Sequence, residues 1–187
     1  MIGTTVNTRL TWICHGATAA SRKALFPLDE PLEDKAAEEA GRMTALPQAD
    51  RIVTSPALRA RQTATALGLD AQIEQRLADC DNGRWAGRPI AAIGTEEPEN
   101  LMAWMSDPEA APHGGDSFLG LRTRVAGWMD EQSTLGGHVI AVTHAPIIRT
   151  AIAHVLQAPL PSFWLVDVEP LVVVRMTSNG QRWSLRL

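Results

Sequence analysis

The chain is poor in the features that would commit it to several large functional classes. Its 2 cysteines, Cys14 and Cys80, stand 66 positions apart, which is neither a metal-type spacing nor a disulfide framework. No apolar run approaches the ~20 residues that a membrane-spanning helix needs. The opening MIGTTVNTRL lacks a basic region followed by an apolar stretch, so no secretory leader is expected and a cytoplasmic location is. The formal charge of −4 argues against a general nucleic-acid binder, which would carry a basic face. HExxH, Walker, GxGxxG and GxSxG motifs are missing, which leaves zinc hydrolysis, P-loop chemistry, dinucleotide binding and serine hydrolysis without support. No metal and no cofactor is expected.

What remains is ordinary globular material. Hydrophobic residues make up 45% and charged residues 20% of 187. That length fits one domain, residues 1–187, with a real core. There are no repeats, linkers or low-complexity segments.

Taken in order, residues 8–14 (TRLTWIC) read as a strand and residues 33–46 as a helix stopped near Pro47. ADRIVTS is a short second strand. Ser55 is placed as the N-cap and Pro56 as the first residue of a helix ending at Gly68. Residues 71–75 form a short edge strand, and two short helices cover 89–94 and 98–105. Asp116 and Ser117 precede a longer helix reaching about Gln132, with Leu121, Val125 and Trp128 on one face. HVIAVTH is the third clear strand, and APIIRTAIAHVL is a buried helix. The tail reads as the strands FWLVDV and LVVVRMT, an Asn179-Gly180 hairpin turn, and RWSLRL. Strand–helix alternation with a terminal hairpin predicts a three-layer α/β/α sandwich on a mostly parallel mixed sheet.

Two of these strands end in a histidine at a turn, His15 and His144. Ligands bind at the ends of such strands in an open α/β sheet. Two histidines brought there can share one pocket, one attacking phosphorus while the other, protonated, steadies the charge.

Five segments now carry a resemblance: CHGAT at 14–18, TSPALRARQTA at 54–64, LADCDNGRWAG at 77–87, GGDS at 114–117 and VTHAPIIR at 142–149. In this order, over almost the whole chain, they resemble the histidine phosphatase superfamily, also called the phosphoglycerate mutase-like family. The resemblance implies that fold and a set of roles. His15 matches the nucleophile, with Gly16 after it allowing close approach of backbone and substrate. His144 matches the second histidine on the transferring phosphoryl group, followed here by Ala145 where Gly is usual. Arg59 matches the phosphate-binding arginine. Asp79 stands where the family carries the proton-donating Glu, with Asp81 its rival. Thr18 matches a position near the phosphate.

Cys14 departs most, since the family has arginine there. Losing a preorganised donor of that kind costs on the order of 10²–10³ in rate. Arg22, Arg84, Arg88 and Arg149 are candidate replacements, with Arg22 first because it follows the nucleophile closely. Cys14 itself is either a small buried apolar residue or a thiol whose pKa an electropositive pocket lowers. His113 is read as an exposed loop histidine, and Trp85 is a candidate for lining the site. The resulting expectation is a metal-independent phosphatase acting on a small phosphorylated substrate through a phosphohistidine on His15, with no nucleic acid and no membrane as partners. The alternative is a weakened or inactive relative that binds an anionic ligand. Oligomeric state is left open.

Overall fold

The computed structural model describes residues 7–186. Residues 1–6 and 187 of the expected domain lie outside that range. Seven α-helices and six strands are resolved among the described residues. In chain order they are β1 (Thr8–Cys14), α1 (Ala19–Arg22), α2 (Asp34–Gly41), β2 (Arg51–Thr54), α3 (Leu58–Ala66), β3 (Gln72–Ile73), α4 (Ile90–Glu96), α5 (Pro98–Ser106), α6 (Phe118–Leu135), β4 (Gly137–Thr143), α7 (Ala145–Val155), β5 (Val173–Ser178) and β6 (Trp183–Arg186).

One six-stranded sheet runs in the order β3-β2-β4-β1-β5-β6. The first four strands in that order are mutually parallel, β5 runs antiparallel to its neighbour β1, and β6 closes the hairpin antiparallel to β5. The expected α/β/α sandwich is thus the observed architecture. β1 and β4 sit at its centre, buried on both faces, which is why they read as apolar runs. Side chains alternate across a strand. Leu10, Trp12 and Cys14 of β1 therefore join Val139 and Ala141 of β4 under α6 and α7, packing on Leu121, Val125, Trp128, Ile147 and Ile148. Ile13, Ile140 and Val142 face the other way, onto Ala60 and Ala64 of α3. β3, two residues long, is the sheet edge expected for that segment.

Three local expectations are corrected. The second helix ends at Gly41, well before Pro47. Ser55 and Pro56 lie outside α3, which starts at Leu58 with Ala57 as its cap residue. The Leu58 amide is instead satisfied by Asp29 Oδ1 at 2.7 Å, and Ser55 Oγ accepts from the Ala57 amide at 3.3 Å, which leaves its hydroxyl proton to donate elsewhere. FWLVDV is not a strand: Leu160–Leu165 form a 3₁₀ helix. Pro159 and Pro161 suit a tight helical start. Phe163 and Trp164 then pack on Phe118 in an aromatic cluster away from the sheet. None of the described helices is long and apolar enough to cross a membrane.

Candidate active site

The register of the two central strands builds the site. Cys14 pairs with Thr143, so the next residue of each chain segment, His15 and His144, leaves the sheet at the same edge. The His15 amide donates to the Thr143 carbonyl at 2.8 Å. Parallel neighbours lie about 4.8 Å apart. The two imidazole centroids accordingly stand 5.1 Å apart in an edge-to-face arrangement.

His15 Nδ1 is 2.7 Å from its neighbour's carbonyl, Gly16 O. Only an Nδ1–H can donate there, so Nε2 keeps its lone pair. Burial pushes the ring below the ordinary histidine range despite that bond, which keeps it neutral and nucleophilic. Gly16 serves a packing purpose: a Cβ there would meet Ala36 of α2 at 3.1 Å and Leu32 at 3.3 Å. Its amide donates to Thr63 Oγ1 at 3.1 Å, and Thr63 donates to the Arg59 carbonyl at 2.7 Å. The loop that carries His15 is thereby tied to α3.

His144 is buried, at the extended cap position before α7, with its ring free of any capping bond. Nε2 lies 2.7 Å from Ser55 Oγ, and Nδ1 lies 3.3 Å from Asp79 Oδ2. The Ser55 hydroxyl donates to Nε2, which leaves Nδ1–H facing the carboxylate. Burial pushes His144 down to about 3, against the pull of Asp79. The expected protonated His144 is therefore corrected to a neutral ring that offers one N–H.

Arg59, on α3, is buried and donates to Leu28 O at 2.7 Å and to Asp79 Oδ2 at 2.7 Å. Its Nε is buried with no hydrogen-bond partner. Burial works to raise the Asp79 carboxyl, but His144 and Arg59 together hold it below the usual range. Asp79 is carried by a well-anchored segment. Arg124 of α6 donates to the carbonyls of Arg76, Ala78 and Asp79, and Thr143 Oγ1 donates to Leu77 O. Asp81 is exposed and accepts from the Gly83 amide at 2.8 Å, closing a turn. The geometry places Asp79, and not Asp81, beside the histidines. The GGDS segment supports this turn: a Cβ on Gly115 would come within 2.0 Å of Asp81 O.

Other expected residues fall elsewhere. Thr18 caps α1 in a capping box with Ser21, and its hydroxyl donates to Glu30 Oε1 at 3.1 Å. Arg22 is not brought to the cleft, because its exposed guanidinium pairs with Glu33. Arg84 and Arg88 are held by Glu96 and Glu97. Cys14 is buried, and burial raises its thiol to about 12, which fits the small buried residue of the two readings and not the reactive thiol. His113 is buried between Trp85 and Trp104, not exposed, and Trp85 belongs to that aromatic cluster and not to the cleft wall.

Sequence reasoning missed Ser55 and Glu30. Ser55 was assigned to a cap that Asp29 supplies. Glu30 lies in a Pro-rich loop with no periodic signal, yet its Oε1 is 3.9 Å from Arg59 Nη1 and its Oε2 is buried without a partner. A cleft of about 370 Å³ opens beside this group, walled by Leu28, Ser55, Arg59, Asp79 and Asp81. That volume suits a small ligand. Among the described residues, no group of three or more His, Cys, Asp or Glu is arranged to hold a metal ion.

Comparison with known proteins accords with this geometry. The family model described as histidine phosphatase superfamily (branch 1) matches residues 10–187. A glucosyl-3-phosphoglycerate phosphatase of Mycolicibacterium vanbaalenii is 30% identical over 173 residues, covering 83% of this chain and 77% of that protein. A bifunctional protein of Mycobacterium tuberculosis is 29% identical over 163 residues, 81% of this chain. The chain spans 45% of the length of that relative. A solved mycobacterial glucosyl-3-phosphoglycerate phosphatase in complex with VO3 superposes with a TM-score of 0.82 at 26% identity, over 96% of this chain and 97% of that one.

Proposed function

The chain belongs to the histidine phosphatase superfamily, branch 1, and from that premise we propose that it hydrolyses a small phosphomonoester, without a metal, through a phosphohistidine on His15. The observation that carries this reading is the pair of neutral imidazoles 5.1 Å apart, with Asp79 against His144 and Arg59 paired to Asp79. His15 Nε2 attacks phosphorus in line while the ester oxygen leaves. Arg59 and His144 Nδ1–H offset charge on the equatorial oxygens. Water then attacks the phosphohistidine and regenerates the imidazole.

Asp79 cannot donate a proton while Arg59 holds it ionised. An incoming phosphate draws the guanidinium to itself and strips Asp79 of its ion-pair partner. Burial and the negative charge of the bound phosphate then raise the carboxyl against the pull of His144, so that it takes up a proton and passes it to the leaving alkoxide. The acid is armed by substrate binding. Relatives that act on glucosyl-3-phosphoglycerate direct the substrate search toward phosphorylated alcohols of sugar-acid type.

The test is hydrolysis of an aryl phosphate between about pH 5 and 8 with chelator present. Wild type should turn over and His15→Ala should not. Equal background rates in both would overturn the reading. One observation favours a second reading, an anion binder without turnover: a single guanidinium faces both Asp79 and Glu30. Phosphate binding without hydrolysis of any phosphomonoester would select it.

A further inference from the structure

A phosphomonoester brings close to two negative charges near neutral pH. The cleft answers with one guanidinium, and Arg59 is already 2.7 Å from Asp79 and 3.9 Å from Glu30. That arrangement is one cation short. The obvious sources are committed: Arg22 to Glu33, Arg84 and Arg88 to Glu96 and Glu97, Arg124 to Asp116 and three carbonyls.

Arg149 differs from all of these. It lies on α7 four residues after Ala145, on the same helix face. Side chains on a helix lean toward its N-terminus. Arg149 therefore leans over the first turn of α7, where His144 enters the site at the cap position. Three-quarters of the side chain is covered, and its Nε is buried without a hydrogen-bond partner. Its guanidinium rests over Phe163, 5.6 Å from the ring centre. Its carboxylate neighbour, Asp167, is fully exposed and 3.6 Å away, a contact that water screens. The positive charges of Arg149 and Arg59 both bear on Cys14, the residue before the nucleophile. They come from opposite faces of the sheet, Arg149 from the α7 side and Arg59 from the α3 side.

We propose that Arg149 supplies the second guanidinium of the phosphate cradle, its orphan Nε–H and that of Arg59 closing on the anion from either side of Cys14-His15. This rests on the phosphatase reading for its kinetic part and on anion binding alone for the rest. An arginine placed at position 14 would bring its charge to the same ground from the strand, so the two positions should substitute for one another.

The experiment compares wild type, Arg149→Ala, Arg149→Lys, Cys14→Arg and the double variant Cys14→Arg/Arg149→Ala. Two readouts are taken: orthophosphate binding by titration calorimetry, and kcat/KM on an aryl phosphate. Circular dichroism melting verifies folding, and Arg149→Lys carries the test if the alanine variant does not fold. Arg149→Ala should weaken phosphate binding about 10-fold and lower kcat/KM about 10²-fold, with Arg149→Lys between it and wild type. In the Cys14→Arg background the same alanine substitution should cost less than about threefold, the arginine at 14 now standing in. Unchanged binding and kinetics in Arg149→Ala would overturn the proposal. So would an equal loss in both backgrounds, which marks a purely structural arginine. If wild type turns over no ester, the phosphatase reading fails by itself. Calorimetry then still decides for Arg149, and phosphate binding that is absent or indifferent to Arg149 overturns it.

Discussion

Replacing Asp79 by Asn separates the two duties assigned to this residue. Asn keeps the shape and can still accept from Arg59, but it carries no charge and no transferable proton. The ion pair at 2.7 Å becomes a neutral-acceptor bond to a buried guanidinium, so stability should fall by about 1–3 kcal/mol. The more exacting expectation concerns leaving groups. An alkyl alcohol leaves as a strongly basic alkoxide and needs a proton, and loss of general acid catalysis typically costs ~10²–10⁴. A nitrophenol leaves as a stable anion and needs none, so its kcat should fall less than about 10-fold. Removing a negative charge beside Arg59 should also tighten orthophosphate inhibition. The assay is steady-state kinetics on a glycerol phosphate and a nitrophenyl phosphate, with phosphate as inhibitor. Equal losses on the two esters, or no loss on the alkyl ester, would refute the role given to Asp79.

Ser55→Ala removes the hydroxyl 2.7 Å from His144 Nε2 and frees the ring to place its proton on either nitrogen, so kcat should fall about 10-fold with KM little changed; a change confined to KM would contradict this. Gly115→Ala drives a Cβ to within 2.0 Å of the Asp81 carbonyl and should cost about 1–3 kcal/mol and displace Asp79. Gly127→Ala at an exposed position of α6, where a Cβ meets nothing within 4 Å, should stabilise by roughly 0.5–1 kcal/mol, and thermal melts of the pair check both signs. Acid sensitivity follows from His144. With its folded value near 3 and an ordinary value of 6.5, the unfolded chain binds a proton that the native state does not, so its stabilising contribution is complete above about pH 6.5 and is lost progressively down to about 3. His15 and His113 are lowered in the same direction, by burial first. Urea midpoints measured from pH 7 to 4.5 should fall, and should fall less steeply in His144→Asn; parallel profiles would contradict the argument.

The central strands were legible in the sequence because burial on both faces leaves a continuous apolar run ended by a polar turn. β1 and β4 therefore announced both histidines, and their parallel register follows from the β–α–β order. The segment FWLVDV has the same composition for a different reason: Phe163 and Trp164 belong to an aromatic cluster reached from a Pro-broken loop, and apolar content alone does not distinguish the two. Ser55 looked like a cap because Ser-Pro before an Ala-rich run is a capping signature. The capping contact comes from Asp29, 29 residues upstream of Leu58, which no local pattern encodes. Glu30 meets Arg59 across 29 positions of sequence, a contact that no local pattern encodes. Asp79 and Asp81 were equally acidic and two residues apart, and only the anchoring of their segment by Arg124 separates them.

The most direct test of the account is a rapid acid-free quench of the protein during turnover of a phosphomonoester, followed by mass mapping of the phosphorylated peptide. A phosphoramidate on His15, labile to acid, stable to base and absent from His15→Ala, is the predicted result. Sustained turnover in His15→Ala, or a phosphoryl group carried on any other residue, would contradict it.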